Sequence, residues 1–251
     1  MISKAKIKLI QSLKRKKYRE KHKLFVVEGE KSIKDLLQAG MKAVDFFVVP
    51  ELMEYAVFSD FKPEEISKEE MKKISFLSTP GNLLAVFEIP EYSLDESFRF
   101  DFILALDDVQ DPGNLGTIIR VADWFGIKAI VCSNNTADVF NPKVVQATMG
   151  SIARVQVHYV DLSDFLKKAK NEYTIYGSFM EGSSVYETDF LKKKILIMGN
   201  EGKGISTEIE KFIAQKVSIP LFAKGNSVPE SLNVAMATGI ILSEIKRKEK
   251  V

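Results

Sequence analysis

The 251-residue chain contains one cysteine, two histidines and one tryptophan. A single thiol, Cys132, excludes an intramolecular disulfide and any cysteine-cluster metal site. Long hydrophobic runs are also missing: "FILAL" at 102–106 and "GIILSEI" at 239–245 fall well short of the roughly 20 residues a membrane helix needs. The N-terminus is basic but has no apolar stretch of the kind a secretory signal carries. There is no internal repeat and no low-complexity tract. With 45% hydrophobic and 28% charged residues, the composition is that of an ordinary globular protein. A soluble, intracellular, cytoplasmic protein is the expectation.

Charge is present but unevenly spread. Residues 1–24 hold eight Lys and two Arg against one Glu, a local balance of +9, so the rest of the chain is at −7 against a total of +2. The segment "KAKIKLIQSLKRKKYREKHK" can serve as a phosphate-contacting surface, since each Lys or Arg can displace a counterion from nucleic acid. A solvated helix face is the plain alternative, and charge alone does not identify the polymer. Arg15, Lys16, Lys17, Arg19 and Lys21 are the candidate RNA contacts.

Hydrophobic periodicity divides the chain near "EIPEYSLDESFRFD" at 88–101, where Pro, Ser and mixed charge interrupt the pattern. Before it, "LFVVEGEKSIKDLLQAGMKAVDFFVVP" reads as strand, turn, amphipathic helix and strand, the start of a βαβ unit. After it, near-continuous apolar strands alternate with helices at 115–125, near 142–149, and at 161–171, 206–214 and 231–247. This pattern predicts an α/β domain over 102–251 with a mostly parallel sheet covered on both faces, preceded by a smaller α/β domain over 1–95. Ligands in such sheets bind at the carboxyl ends of strands, so the loops after 106, 199 and 220 are where function is sought.

In the first loop, "LDDVQDPGNLGTIIRVADWFG" at 106–126, Asn114 is a natural helix N-cap. Arg120 stands among Ile118, Ile119 and Val121, so its guanidinium needs an anion or a route to water. The second, "ILIMGNEGKGIS" at 195–206, is not a phosphate loop: Ile205 stands where Walker A requires Lys, and Thr207 where G-x-G-x-x-G requires its last Gly. What it offers is a Gly-rich turn that lets a ligand approach the backbone, with Glu201 at its tip. The third, "VSIPLFAKGNSVPESLNVAMATG" at 217–239, puts Ser231 and Asn233 at the head of an apolar helix. One of the two is expected to cap that helix and the other to meet a ligand.

This set resembles the SpoU/TrmH family of RNA ribose 2′-O-methyltransferases, within the SPOUT superfamily. The residues that carry the resemblance are "DPGNLGTIIRVADWFG", "IMGNEGKGIS" and "IPLF…SLNVAMATGIIL", in that order over about 102–247. Residues 1–90 are similar, more loosely, to the ribosomal-protein-like substrate-binding domain that many members carry in front. The resemblance implies a deep trefoil knot in the second domain, an exception to unknotted connections, together with a homodimer and S-adenosylmethionine held in the knot. It assigns cofactor contacts to Gly199, Asn200, Ile219, Leu221 and Leu232, and a catalytic set of Arg120, Asn114, Glu201, Ser231 and Asn233. The stretch Leu221–Glu230 is longer than the family pattern.

Methyl transfer to a ribose hydroxyl needs proximity, alignment and removal of one proton, and no metal. Arg has a pKa above about 12, so its role is better stated as stabilising a developing alkoxide and orienting the ribose than as a literal base. His22, His158 and Cys132 lie outside the strand-end motifs and read as structural. Two rival readings stay open: transfer RNA in place of ribosomal RNA, and a non-catalytic RNA-binding or assembly protein on the same fold. A nucleotide-binding oxidoreductase lacks its glycine fingerprint.

Overall fold

The computed structural model describes residues 1–52, 58, 61–224 and 230–249. They form two compact units, Met1–Glu91 with Asp138–Ala153, and Tyr92–Ala137 with Arg154 onward. The first boundary falls inside the expected linker. The segment 138–153, read from the sequence as part of the second domain, groups instead with the first unit.

The first unit begins with helices α1 (Lys4–Ser12) and α2 (Lys16–His22), then β1 (Leu24–Glu28), α3 (Glu30–Gln38), β2 (Ala43–Val48), β3 (Glu64–Glu65), α4 (Lys68–Ile74) and β4 (Leu83–Glu88). Its sheet has the order β1-β4-β2-β3. β1 and β2 both pair antiparallel with β4, so the expected βαβ unit is a split one with a strand inserted between its halves. α4 starts on a capping box in which Ser67 Oγ accepts from the Glu70 N–H at 3.2 Å and Glu70 Oε2 accepts from the Ser67 N–H at 2.9 Å. Ile10, Leu13, Val26, Phe47, Met71, Ile74, Leu84 and Val86 form its core.

The second unit holds α5 (Leu94–Ser97), β5 (Phe102–Leu106), α6 (Pro112–Trp124) and β6 (Ala129–Ser133). α7 (Pro142–Thr148) belongs to the first unit, and the chain then returns through β7 (Gln156–Val160), α8 (Leu162–Ala169), β8 (Thr174–Ser184), β9 (Lys194–Met198), α9 (Thr207–Glu210), β10 (Gln215–Ser218) and α10 (Val234–Glu249). All six strands run parallel, in the order β10-β8-β9-β5-β6-β7. β5 and β9 are fully buried along their length, as expected for central strands covered on both faces.

Strand order fixes where a ligand can sit. From β5 the chain steps outward to β6 and β7, whereas β9 is followed by β10 on the other side, so the direction of winding reverses between the adjacent strands β5 and β9. The crevice at the carboxyl ends of such a pair is the expected ligand site of an open α/β sheet. The third loop leaves the edge strand β10 but returns to the centre, because α10 packs on α6. The far end of α10 is tied to the sheet where the buried Lys194 Nζ meets Glu249 Oε1 at 2.7 Å.

Candidate active site

α6 begins earlier than the sequence suggests. Asp111, not Asn114, is its N-cap: the carboxylate Oδ1 accepts the Asn114 N–H at 2.8 Å, and Pro112, whose missing N–H costs nothing there, takes the first helical position. Asn114 is thus on the first turn with its side chain released. α10 begins later than expected, at Val234, with Asn233 as cap: Oδ1 accepts the N–H groups of Ala235 and Met236 at 2.9 and 3.2 Å.

With its oxygen used in this way, Asn233 has only its amide nitrogen to offer across the site. That nitrogen donates to Asn114 Oδ1 at 2.9 Å, and Asn114 Nδ2 in turn donates to Glu201 Oε1 at 3.0 Å. The orientation of both amides follows from the network, since each end faces only partners of the right kind. Glu201 also accepts the Asp111 and Gln110 N–H groups at 3.3 and 3.4 Å. Partial burial pushes the Glu201 carboxyl up, but the Asn114 amide and the N–H groups of Glu201, Asp111 and Gln110 outweigh it, and the net effect holds the group below the ordinary carboxylate value. An ionised carboxylate at neutral pH therefore sits between the three loops. One residue, Asn233, both caps and links, where the sequence suggested a division of labour with Ser231; Ser231 is exposed beside it.

Gly199 ends β9, and the turn after it closes on itself through paired bonds between Asn200 and Gly204 at 3.0 and 2.9 Å. A Cβ on Gly199 would lie 2.3 Å from the Gly204 carbonyl carbon, so no other residue fits. Asn200 turns inward: its Nδ2 donates to the Asp108 carbonyl at 2.8 Å and its Oδ1 accepts from Gly202 and Lys203. Ile219 is half-buried after β10, and Leu221 and Leu232 are exposed. Residues 225–229 of the long loop fall outside the described residues. These positions offer main-chain groups, apolar side chains and one carboxylate, a donor set that fits an uncharged purine carrying a cationic sulfonium, as S-adenosylmethionine does.

Arg120 does not join this network. It is exposed on α6, on a stripe with Gly113, Thr117 and Trp124, six residues or about 9 Å along the helix from Asn114. Of the five basic candidates, Arg15 at the N-cap of α2 and Lys16, Lys17 and Lys21 on it are exposed. Arg19 is the exception, and the reading of it as an RNA contact is corrected: it is 3% exposed, paired with Asp138, and donates Nη1 to the Leu13 carbonyl at 2.7 Å. Cys132 is fully buried, and burial pushes its thiol far above the range of a nucleophile. Burial likewise lowers the His158 pKa. Sequence reasoning missed Asp107, Asp108, Asp111, Ser133 and Thr136, which brace the loop after β5; the visible signal was a cluster of short polar side chains directly after two apolar strands.

An all-parallel sheet with a polar site at its winding reversal defines a class, the α/β proteins that hold a small ligand at their strand ends. Residues 101–243 match the SpoU rRNA Methylase family and residues 4–85 the MRM3-like substrate binding domain, and the chain belongs to the SpoU rRNA methylase family. It is similar to RlmP of Bacillus subtilis, a 23S rRNA (guanosine(2553)-2′-O)-methyltransferase, at 30% identity over 96% of each chain. Among solved structures it is similar to a putative RNA methyltransferase of the TrmH family from Porphyromonas gingivalis, with 39% identity, TM-score 0.86 and 99% of both chains covered. It is also similar to the AdoMet-bound rRNA methyltransferase of Sinorhizobium meliloti, with 29% identity, TM-score 0.85, and 99% of this chain and 96% of that one covered.

Proposed function

We propose that this protein transfers a methyl group from S-adenosylmethionine to a ribose 2′-hydroxyl of ribosomal RNA. The observation that carries the reading is the hydrogen-bonded chain Asn233–Asn114–Glu201, which ties the three motif loops together at the winding reversal. Ribosomal RNA is favoured over transfer RNA because the full-length relative RlmP acts on 23S rRNA and the first unit matches a substrate-binding domain. A cytoplasmic location and a trefoil knot around the cofactor loops belong to the same reading.

When bound, S-adenosylmethionine supplies a methyl on a sulfonium: the ribose O–CH3 bond forms as the S–CH3 bond breaks, and sulfur keeps the electron pair. The main chain at Gly199, Asn200, Ile219, Leu221 and Leu232 would hold that group. Glu201, kept ionised by its donors, lends negative charge to the crevice, while Asn114 and Asn233 fix its position. Arg120 orients the ribose and its phosphate and stabilises the alkoxide as the hydroxyl proton leaves to water. Ser231 completes the polar rim. Arg15, Lys16, Lys17 and Lys21 contact phosphates of the RNA.

The reading includes a homodimer formed across α6 and α10. Trp124 is 85% exposed on α6 and Met236 62% on α10, helices that pack on one another, and large apolar side chains left out on adjoining helices are a usual mark of a protein contact.

The test is transfer of labelled methyl from S-adenosylmethionine to rRNA lacking the modification, with wild type and Arg120→Ala in parallel. Label on a ribose, reduced about 10²–10³-fold in the variant, is the expected outcome. A folded wild type that labels no RNA would leave the non-catalytic binder as the better reading.

A further inference from the structure

Each residue from Leu106 to Val109 is held by the end of β6 or β9 or by the loop that follows it. The Leu106 carbonyl accepts the Thr136 hydroxyl at 3.3 Å, the Asp107 N–H donates to the Met198 carbonyl at 2.9 Å, and Asp107 Oδ2 accepts the Ser206 N–H at 2.8 Å. The Asp108 N–H donates to Ser133 Oγ at 2.9 Å, and the Val109 carbonyl accepts the Ala137 N–H at 2.9 Å. Ser133 Oγ and Thr136 Oγ1 are 3.1 Å apart. The Thr136 proton is committed to Leu106 and the Ser133 oxygen to the Asp108 N–H, which leaves the Ser133 proton two acceptors, Thr136 Oγ1 and Asp108 Oδ1 at 3.5 Å. The two hydroxyls form a short relay between the Asp108 N–H and the Leu106 carbonyl, and Ser133 holds both the main chain and the carboxylate of Asp108.

The residue gripped by this relay has a special backbone. Asp108 has φ +63°, in the left-handed region that few non-glycine residues enter. That conformation aims its carbonyl at Asn200 Nδ2, 2.8 Å away, and Asn200 in turn fixes the turn that bears Glu201. We infer that Ser133 and Thr136 are positioning residues for methyl transfer: from behind the sheet's central loop they hold Asp108 left-handed, and Asp108 registers the Glu201 turn against α6. The inference rests on the methyl-transfer reading but concerns residues outside its three motifs. Thr136 is buried and Ser133 half-buried, and their hydroxyls face Leu106, Asp108 and each other.

The experiment compares Ser133→Ala, Thr136→Val, Ser133→Thr, Asp108→Ala and Asp108→Gly by kcat, KM for RNA, and amide hydrogen exchange of residues 199–204 in the ligand-free protein. Ser133→Ala, Thr136→Val and Asp108→Ala should speed exchange in 199–204 and lower kcat by up to about a hundredfold, the scale of an ångström misplacement, with KM for RNA unchanged. Ser133→Thr, which keeps the hydroxyl, and Asp108→Gly, which enters positive φ freely, should rescue both readouts. Unchanged exchange and kcat in the first three would overturn the inference. So would equal loss in Asp108→Gly and Asp108→Ala, which would place the role in the carboxylate. If wild type transfers no methyl, the parent reading fails, while the exchange data still decide the positioning.

Discussion

Asn233 spends its oxygen on the first turn of α10 and its nitrogen on Asn114, so alanine there removes two things at once. Loss of the cap alone costs about 1 kcal/mol, and Asn233→Ala should therefore lower both the melting temperature and transfer. Asn233→Asp separates them. A carboxylate caps as well as an amide and suits the positive end of the helix, so the melting temperature should hold. It has no N–H, however, and the single donor end of Asn114 would then have two carboxylates to serve. Glu201 is held below the ordinary carboxylate value partly by that donor, so losing it moves the Glu201 carboxyl upward. The expected result for Asn233→Asp is wild-type melting, a higher Glu201 titration midpoint by carbon-detected NMR, and reduced transfer. Wild-type transfer with a displaced Glu201 midpoint would show that the chain of amides is structural only.

At the scale of elements, α2 shows how far a sequence can be read. Its basic character was legible, and so were the apolar strands of both sheets and the three loops that follow them. What could not be read was which cation points inward. Arg19 is buried because Asp138, 119 residues away, meets it, and no local period announces a partner at that distance. The same limit applies to segment 138–153 and to the strand inserted between β1 and β2, both set by long-range pairing. Helix starts erred for a local reason: Asp111, Asn114, Ser231 and Asn233 are all competent caps, and Pro112 and the Asn114 contact decide among them. Arg19→Ala should leave Asp138 unpaired and destabilise the first unit by about 3–5 kcal/mol in urea denaturation. The paired substitution Lys17→Ala with Lys21→Ala should change stability by less than about 0.5 kcal/mol. It should instead weaken RNA binding and reduce the salt slope by roughly 0.7–0.9 per lost phosphate contact. A stability loss in the double variant as large as that of Arg19→Ala would mean that α2 is a packing helix and not an RNA surface.

For the whole molecule, the site as described is built by one chain, yet Arg120 stands apart from it on a stripe that ends in Trp124. A tryptophan left 85% exposed, with Met236 also exposed on the helix packed against α6, is costly in water unless another surface covers it. The covering surface we propose is a second copy, which would bury Trp124 and hold the face from which Arg120 extends. Aromatic anchors at interface centres cost about 2 kcal/mol or more when removed, which raises a dissociation constant about 30-fold. Trp124→Glu adds the burden of a charge in the same place. Sedimentation over a range of concentrations should give two chains for the wild type and a concentration-dependent shift to one for Trp124→Glu, with the melting curve of the second unit retained. If pairing also fixes Arg120, transfer by the variant should recover as its concentration is raised. A wild type that sediments as a single chain at every concentration would reject the dimer and leave Trp124 free to stack on RNA.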